Sequence, residues 1–253
     1  MTKSIDVAGL SKRFYVQENR RLSFFRGLMA MPEYFRKKRE IWALRNITFT
    51  LDEGDCLGVV GVNGSGKSTL LRVLEGVYRP TSGSVRLRHD TALLQIGLGF
   101  NPELTVAENV YLGGAVQGVS LRRIEESFKD IIAFAELEEY VDVKMKVLST
   151  GMFQRLAFST TIQTESDILL LDEMFAVGDE RFIHKCKGVM DEFRSQGRTI
   201  IMSSHSRERI RDFCDKVLVI HQGQQMAFGP INESLPCYDS IIKGSQDCLR
   251  GPN

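Results

Sequence analysis

The stretch GVNGSGKST, residues 61–69, sets three glycines ahead of one lysine and two hydroxyl side chains. Gly61, Gly64, Gly66, Lys67 and Ser68 fit the spacing G-x-x-x-x-G-K-[ST]. Glycine permits left-handed backbone and close approach, so several N–H groups of one loop can converge on one anion. Asn63, Ser65 and Thr69 belong to the same phosphate cradle. Lys67 is placed to reach the β- and γ-phosphates, and the Ser68 hydroxyl to ligate Mg²⁺. Upstream, CLGVVG (56–61) is an apolar run suited to a buried parallel strand. Downstream, KSTLLRVLEGV (67–77) carries Leu70, Leu71, Val73 and Leu74 at helical spacing. Strand, loop and helix in that order aim a helix N-terminus at the phosphates.

In an open α/β sheet, ligands gather beyond the carboxyl ends of the strands. DILLLDE (167–173) ends in Asp172, suited to hold Mg²⁺ directly or through water, and Glu173, suited to polarise an attacking water. RTIIMSSH (198–205) brings His205 to the same edge as a γ-phosphate contact. LSTGM (148–152) precedes the helix-forming FQRLAFSTTIQ. Ser149 there is a plausible N-cap and Gly151 removes a side chain at the helix start, which makes a second anion grip. A chain that already has a phosphate loop uses a second grip if two copies face each other and share nucleotides.

The 253 residues, 43% hydrophobic, are enough for one sizeable core. A net charge of +1 gives no overall field for nucleic acid. The five cysteines (Cys56, Cys186, Cys214, Cys237 and Cys248) are scattered without a C-x-x-C pair and are expected to be reduced thiols of a cytosolic protein. MTKSIDVAGLSKRF at the N-terminus lacks the apolar core of a signal peptide. No apolar run approaches the ~18 residues of a membrane span, so work at a membrane requires docking on something else.

Away from the phosphate loop, SIDVAGLSKRFYV (4–16) and IWALRNITFTL (41–51) read as strands, with EGD turning into the loop's own strand. PTSG (80–83) is a turn before the short strand SVRLR. Residues 104–146 change character: Ile124, Phe128, Ile131, Ile132 and Phe134 lie near one helical stripe, which predicts a helical insertion. Strands alternating with helices make an α/β parallel-sheet pattern, and VLVIHQGQQMAFG (217–229) closes it as a hairpin with Gly223 near its turn.

Five motifs in order resemble the ATP-binding subunit of an ABC transporter over residues 4 to about 232. GVNGSGKST resembles Walker A, LSTGM the signature (usually L-S-G-G-Q), and ILLLDE Walker B with the catalytic glutamate. AVGD (176–179) resembles the D-loop, which implies that Asp179 contacts nucleotide, and SSHS around His205 resembles the switch histidine. The resemblance implies Gln95 as the Q-loop residue, near metal and water, and Phe14, with Tyr15 beside it, as the aromatic that stacks on adenine. LLQIGLGFNPELTVAENVYLGG, LSTGMFQRLAF and DEMFAVGDERFIHKC resemble the polysaccharide-exporting branch, which moves O-antigen, capsule and wall teichoic acid chains. That branch typically writes S-S-G-M in its signature. Thr150 and Met152 therefore depart from the general motif and nearly match the branch, and Thr150 adds a side chain where most members have glycine.

The resemblance implies an α/β fold: a RecA-like P-loop NTPase core with an N-terminal antiparallel β-subdomain and an α-helical subdomain. One domain is expected over 1–253, with about 1–94 and 160–232 as β-subdomain and core and about 95–159 as the helical part. It further implies ATP and Mg²⁺ as ligands, a homodimer that sandwiches two ATP, and an integral membrane permease in two copies. A lipid-linked glycan would be the cargo, reached through the permease, with the subunit peripheral on the cytoplasmic face of the inner membrane. An ATPase subunit for another cargo (lipid, drug or small molecule) is the alternative. Intact Glu173 and His205 argue against a non-hydrolysing sensor.

The basic amphipathic insertion at 16–40 mixes Leu22, Phe24, Phe25, Leu28, Met29, Tyr34 and Phe35 with Arg20, Arg21, Arg26, Arg36, Lys37, Lys38 and Arg39. Such a segment can lie on an anionic membrane surface, or pack on the core and show its charges to water. Residues 233–253 are read as a C-terminal tail, too short for the carbohydrate-binding domain of some O-antigen exporters.

Overall fold

A computed structural model describes residues 2–17, 38–95, 97–172 and 180–243. The loop's strand, β3 (Cys56–Val60), is buried along its whole length. Its side chains alternate between two cores. Cys56 and Val60 join one hydrophobic cluster, and Leu57 and Val59 join the other. The strands around it repeat the device. In β6 (Ile168–Leu171), Leu169 and Leu171 face the first cluster while Ile168 and Leu170 face the second. In β7 (Thr199–Ser204), Ile200 and Met202 lie opposite Ile201. In β8 (Lys216–His221), Val217 and Val219 lie opposite Leu218 and Ile220. A strand covered on both faces needs apolar residues at every position, which is why these segments read as continuous runs rather than alternations.

Parallel pairing links β8, β3, β7, β6 and β5 (Thr91–Leu94). β8 turns back into β9 (Gln224–Pro230) through Gln222 and Gly223, both at positive φ. The antiparallel pair β1 (Lys3–Gln17) and β2 (Lys38–Asp52) extends the sheet, with β4 (Ser82–Leu87) on its outer edge. Among the described residues the order is β4-β1-β2-β9-β8-β3-β7-β6-β5. Helix α1 (Lys67–Leu74) is clasped between this hairpin and the parallel strands. Its Leu70, Leu71, Val73 and Leu74 share a core with Ile5, Val7, Leu44 and Phe49.

The expected helical insertion is present as α2 (Val106–Val116) and α3 (Leu121–Ala135), followed by α4 (Thr150–Thr161). Thr105 and Glu108 form a reciprocal capping box at the start of α2. Asn109, fully buried, ties the preceding loop by donating to the carbonyls of Asn101, Leu104 and Thr105 and accepting from the Asn101 N–H. Ile124, Ile131 and Ile132 are buried in this helical unit's own cluster, with Phe128 against it. Phe134 departs from the expected stripe: it meets Phe158 and the edge of Phe182 (Glu180–Ser195 is α5) in the sheet's core. Its position lies nearly a quarter turn from the centre of the stripe, so it reaches the neighbouring core instead.

The part read as a tail begins as a helix, α7 (Ile231–Ile242), whose Leu235, Cys237 and Tyr238 are buried over β8 and β9, in the core that α6 (Arg207–Phe213) also enters. Cys56, Cys186 and Cys214 are free and buried, and burial pushes the Cys186 thiol up to about 12. Cys237 is disulfide-bonded, so the expectation of reduced thiols throughout does not hold. Cysteine spacing along a chain does not show which sulfurs meet in space. Among the described residues no helix is long and apolar enough to cross a membrane. The amphipathic stretch of the 16–40 insertion, and Glu173 and Asp179, lie outside the described residues.

Candidate nucleotide site

Sheet register gathers the site. Val60 pairs with Ser204, Leu171 with Met202, and Leu94 with Leu171. The next residue on each strand is therefore Gly61, His205, Asp172 or Gln95, all at the carboxyl edge. Here the chain leaves β3, turns through the glycine loop and enters α1. Gly66 is the α1 N-cap at φ 115°, and a Cβ there would lie 2.5 Å from the Ala43 carbonyl oxygen. A Cβ on Gly61 would lie 2.3 Å from the Ile220 carbonyl oxygen. At Gly61 the constraint is space alone, and at Gly66 tight space combines with a left-handed backbone that glycine adopts freely.

Lys67 is 5% exposed and curls back over its own loop, donating to the Gly61 carbonyl at 2.8 Å and the Val62 carbonyl at 3.4 Å. Ser65 is buried at 2% exposure, and its Oγ meets no hydrogen-bond partner among the described residues. A buried hydroxyl inside a loop of converging N–H groups is a donor suited to a phosphate oxygen. The Gly223 N–H donates to the Ser65 carbonyl at 2.9 Å, so the β8–β9 turn braces the loop from behind.

Asp172 faces this loop across the sheet edge. Its Oδ1 accepts from Ser203 Oγ at 2.7 Å and from Ser68 Oγ at 3.3 Å. A hydroxyl and a carboxylate this close form a hard-oxygen pair of the kind Mg²⁺ prefers, with the Gln95 amide on the adjoining strand. These residues fit the metal. Ser203 was not singled out in the sequence; its signal was the alternation in IIMSSH, which puts Ser203 on the face of Ile201, the face that Leu170 and Asp172 share on β6.

Phe14 lies half-buried near the end of β1, edge-on to Tyr78 at 5.2 Å between ring centroids, with the Lys12 ammonium 5.0 Å from its ring. Tyr15 is 54% exposed, with the Arg13 guanidinium over its ring. Tyr78 is an aromatic partner that sequence spacing did not reveal, because 64 positions separate it from Phe14.

The second grip is built on the helical unit. Ser149 caps α4 by accepting from the Met152 N–H at 3.2 Å, as expected. Ser149 and Thr150 are exposed, and Met152 packs against the helical cluster. A Cβ on Gly151 would meet nothing nearer than Ser149 Oγ at 4.0 Å, so the helix N-terminus opens to solvent. The loop after Gln95 leans on the same helix: a Cβ on Gly97 would lie 2.8 Å from the Phe153 ring, and Phe100 meets Phe153 edge-on.

The ABC transporter family description matches residues 44–176. The chain is 40% identical over 212 residues to a teichoic acids export ATP-binding protein of Bacillus anthracis, covering 83% of this chain and 39% of that relative. It is 34% identical to the protein of the same description from Staphylococcus saprophyticus, covering 99% of this chain and 94% of the relative. A dimeric ATP-binding cassette solved with ADP and phosphate superposes with a TM-score of 0.69 at 20% identity, covering 90% of this chain and 98% of that one, and this likeness shows the P-loop NTPase fold. The family match encloses the glycine loop, the capped α4 and Asp172 within one continuous span of more than half the 253 residues, and on it this protein belongs to the ABC transporter family.

Proposed function

We propose that this chain is the ATP-hydrolysing subunit of an ABC transporter that exports a lipid-linked polysaccharide of the teichoic acid type. The observation that carries the ATPase reading is Asp172 Oδ1 lying within hydrogen-bond reach of Ser68 in the phosphate loop. The cargo rests on the teichoic acid export proteins to which the chain is similar.

Lys67 would leave the loop carbonyls for the β- and γ-phosphates, with Gly61, Asn63, Gly64, Ser65, Gly66 and Thr69 wrapping them. Ser68, Asp172 and Gln95 would hold Mg²⁺, whose charge offsets the charge on the β- and γ-oxygens. Glu173 would orient the attacking water and His205 the γ-phosphate. Phe14 or Tyr15 would stack on adenine.

The turn at Ser149–Met152, exposed at Ser149 and Thr150, would take a partner's nucleotide, and Asp179 would contact nucleotide as well. Two copies would thus close on two ATP molecules, drive an integral membrane permease, and reset on hydrolysis. The subunit would sit on the cytoplasmic face of the membrane. Glu173→Gln tests this. It should bind ATP, lose turnover and accumulate as a dimer in Mg-ATP. A variant that stays monomeric in Mg-ATP, with its permease present, would remove the shared-site reading.

A further inference from the structure

His205 sits one residue beyond the end of β7, outside the ladder that fixes its neighbours. Upstream, Ser204 is paired with Val60. Downstream, Ser206 caps the seven-residue α6. A third element reaches this short segment. Tyr238 of α7, 2% exposed, donates its hydroxyl to the His205 carbonyl at 3.4 Å. Asp239 Oδ1 stands 2.7 Å from Arg207 Nε, and both atoms are closed off from solvent. The two contacts bracket His205, one on its own backbone and one two residues on. α7 can bear on them because Leu235, Cys237 and Tyr238 anchor it in the core that also holds Ile210 and Phe213 of α6.

We infer that α7 clamps the switch segment, with Tyr238 and Asp239 as positioning residues that set where His205 reaches. This rests on reading His205 as the γ-phosphate contact. A side chain that must meet a phosphate within hydrogen-bond distance is sensitive to small displacements of its backbone. The Tyr238 hydroxyl holds that backbone directly and the ion pair holds Arg207 two residues on, neither touching the nucleotide.

The test uses the full chain with its permease and four variants: Tyr238→Phe, Asp239→Asn, the exchange Arg207→Asp with Asp239→Arg, and His205→Ala. Tyr238→Phe and Asp239→Asn should each lower kcat by about three- to ten-fold, leave KM for Mg-ATP nearly unchanged and barely move Tm. The charge exchange should recover part of the loss. In the His205→Ala background neither substitution should lower turnover further, since positioning of an absent imidazole has no effect. Wild-type kcat in both single variants, with His205→Ala slowed but measurable, overturns the clamp alone. Losses that track a falling Tm, or that add to His205→Ala, make α7 structural and overturn it as well. Full turnover in His205→Ala removes the histidine reading, and the clamp with it.

Discussion

Ser203 donates to Asp172 Oδ1 at 2.7 Å, a shorter hydrogen bond than the one Ser68 makes to the same oxygen. β7 therefore orients a carboxylate carried by β6. Ser203→Ala removes that donor and loosens the hold on the carboxylate. Turnover should fall about ten-fold, the worth of one hydrogen bond to a charged group, and the Mg²⁺ concentration for half-maximal activity should rise. ADP binding without metal should be unaffected. A magnesium titration of ATPase activity reads both effects.

Lys67→Ala removes the only side-chain cation within the loop's nine residues. Nucleotide affinity should drop by at least about ten-fold and hydrolysis should vanish, because charge building on the γ-phosphate loses its counter-charge. Equilibrium binding of a fluorescent nucleotide and phosphate release check this.

Gly66→Ala places a methyl group 2.5 Å from the Ala43 carbonyl at φ 115°. The strained backbone alone costs about 1–3 kcal/mol, and the loop must shift away from β2. Tm should fall and nucleotide binding should be lost together. Gly64→Ala, which meets no atom within 4 Å, should be the milder of the two in thermal melts.

Gly151→Asp should fold normally, since the space around that position is open. One chain should still bind ATP, while hydrolysis by the pair should stop, because on the proposed shared site the new carboxylate would face the partner's γ-phosphate and like charges repel. Circular dichroism, nucleotide binding and ATPase rate together separate these outcomes.

The parallel strands were readable because each is buried on both faces, so CLGVV, ILLL and TIIMSS stand out as apolar runs. The glycine loop was readable because a Cβ has no room at Gly61 and both room and backbone geometry exclude one at Gly66. The hydrogen bond from Ser203 to Asp172 and the packing of Tyr78 on Phe14 were not, since each joins residues far apart in sequence through tertiary pairing. Helix α7 was missed because Pro236 interrupts its interior and its apolar face is only a few residues long. Its burial against β8 and β9, rather than intrinsic propensity, makes it a helix.

Helix α4 belongs to two cores within three consecutive residues: Leu156 to the helical cluster, Ala157 and Phe158 to the sheet's. Residues 95–159 excised as a fragment would lose Phe182, which packs on both Phe134 and Phe158, and would leave those rings and Ala157 open to water. The helical unit is thus no autonomous folding module. Amide hydrogens in α4 should exchange only with global unfolding, and denaturant should dissolve helical unit and sheet in a single transition.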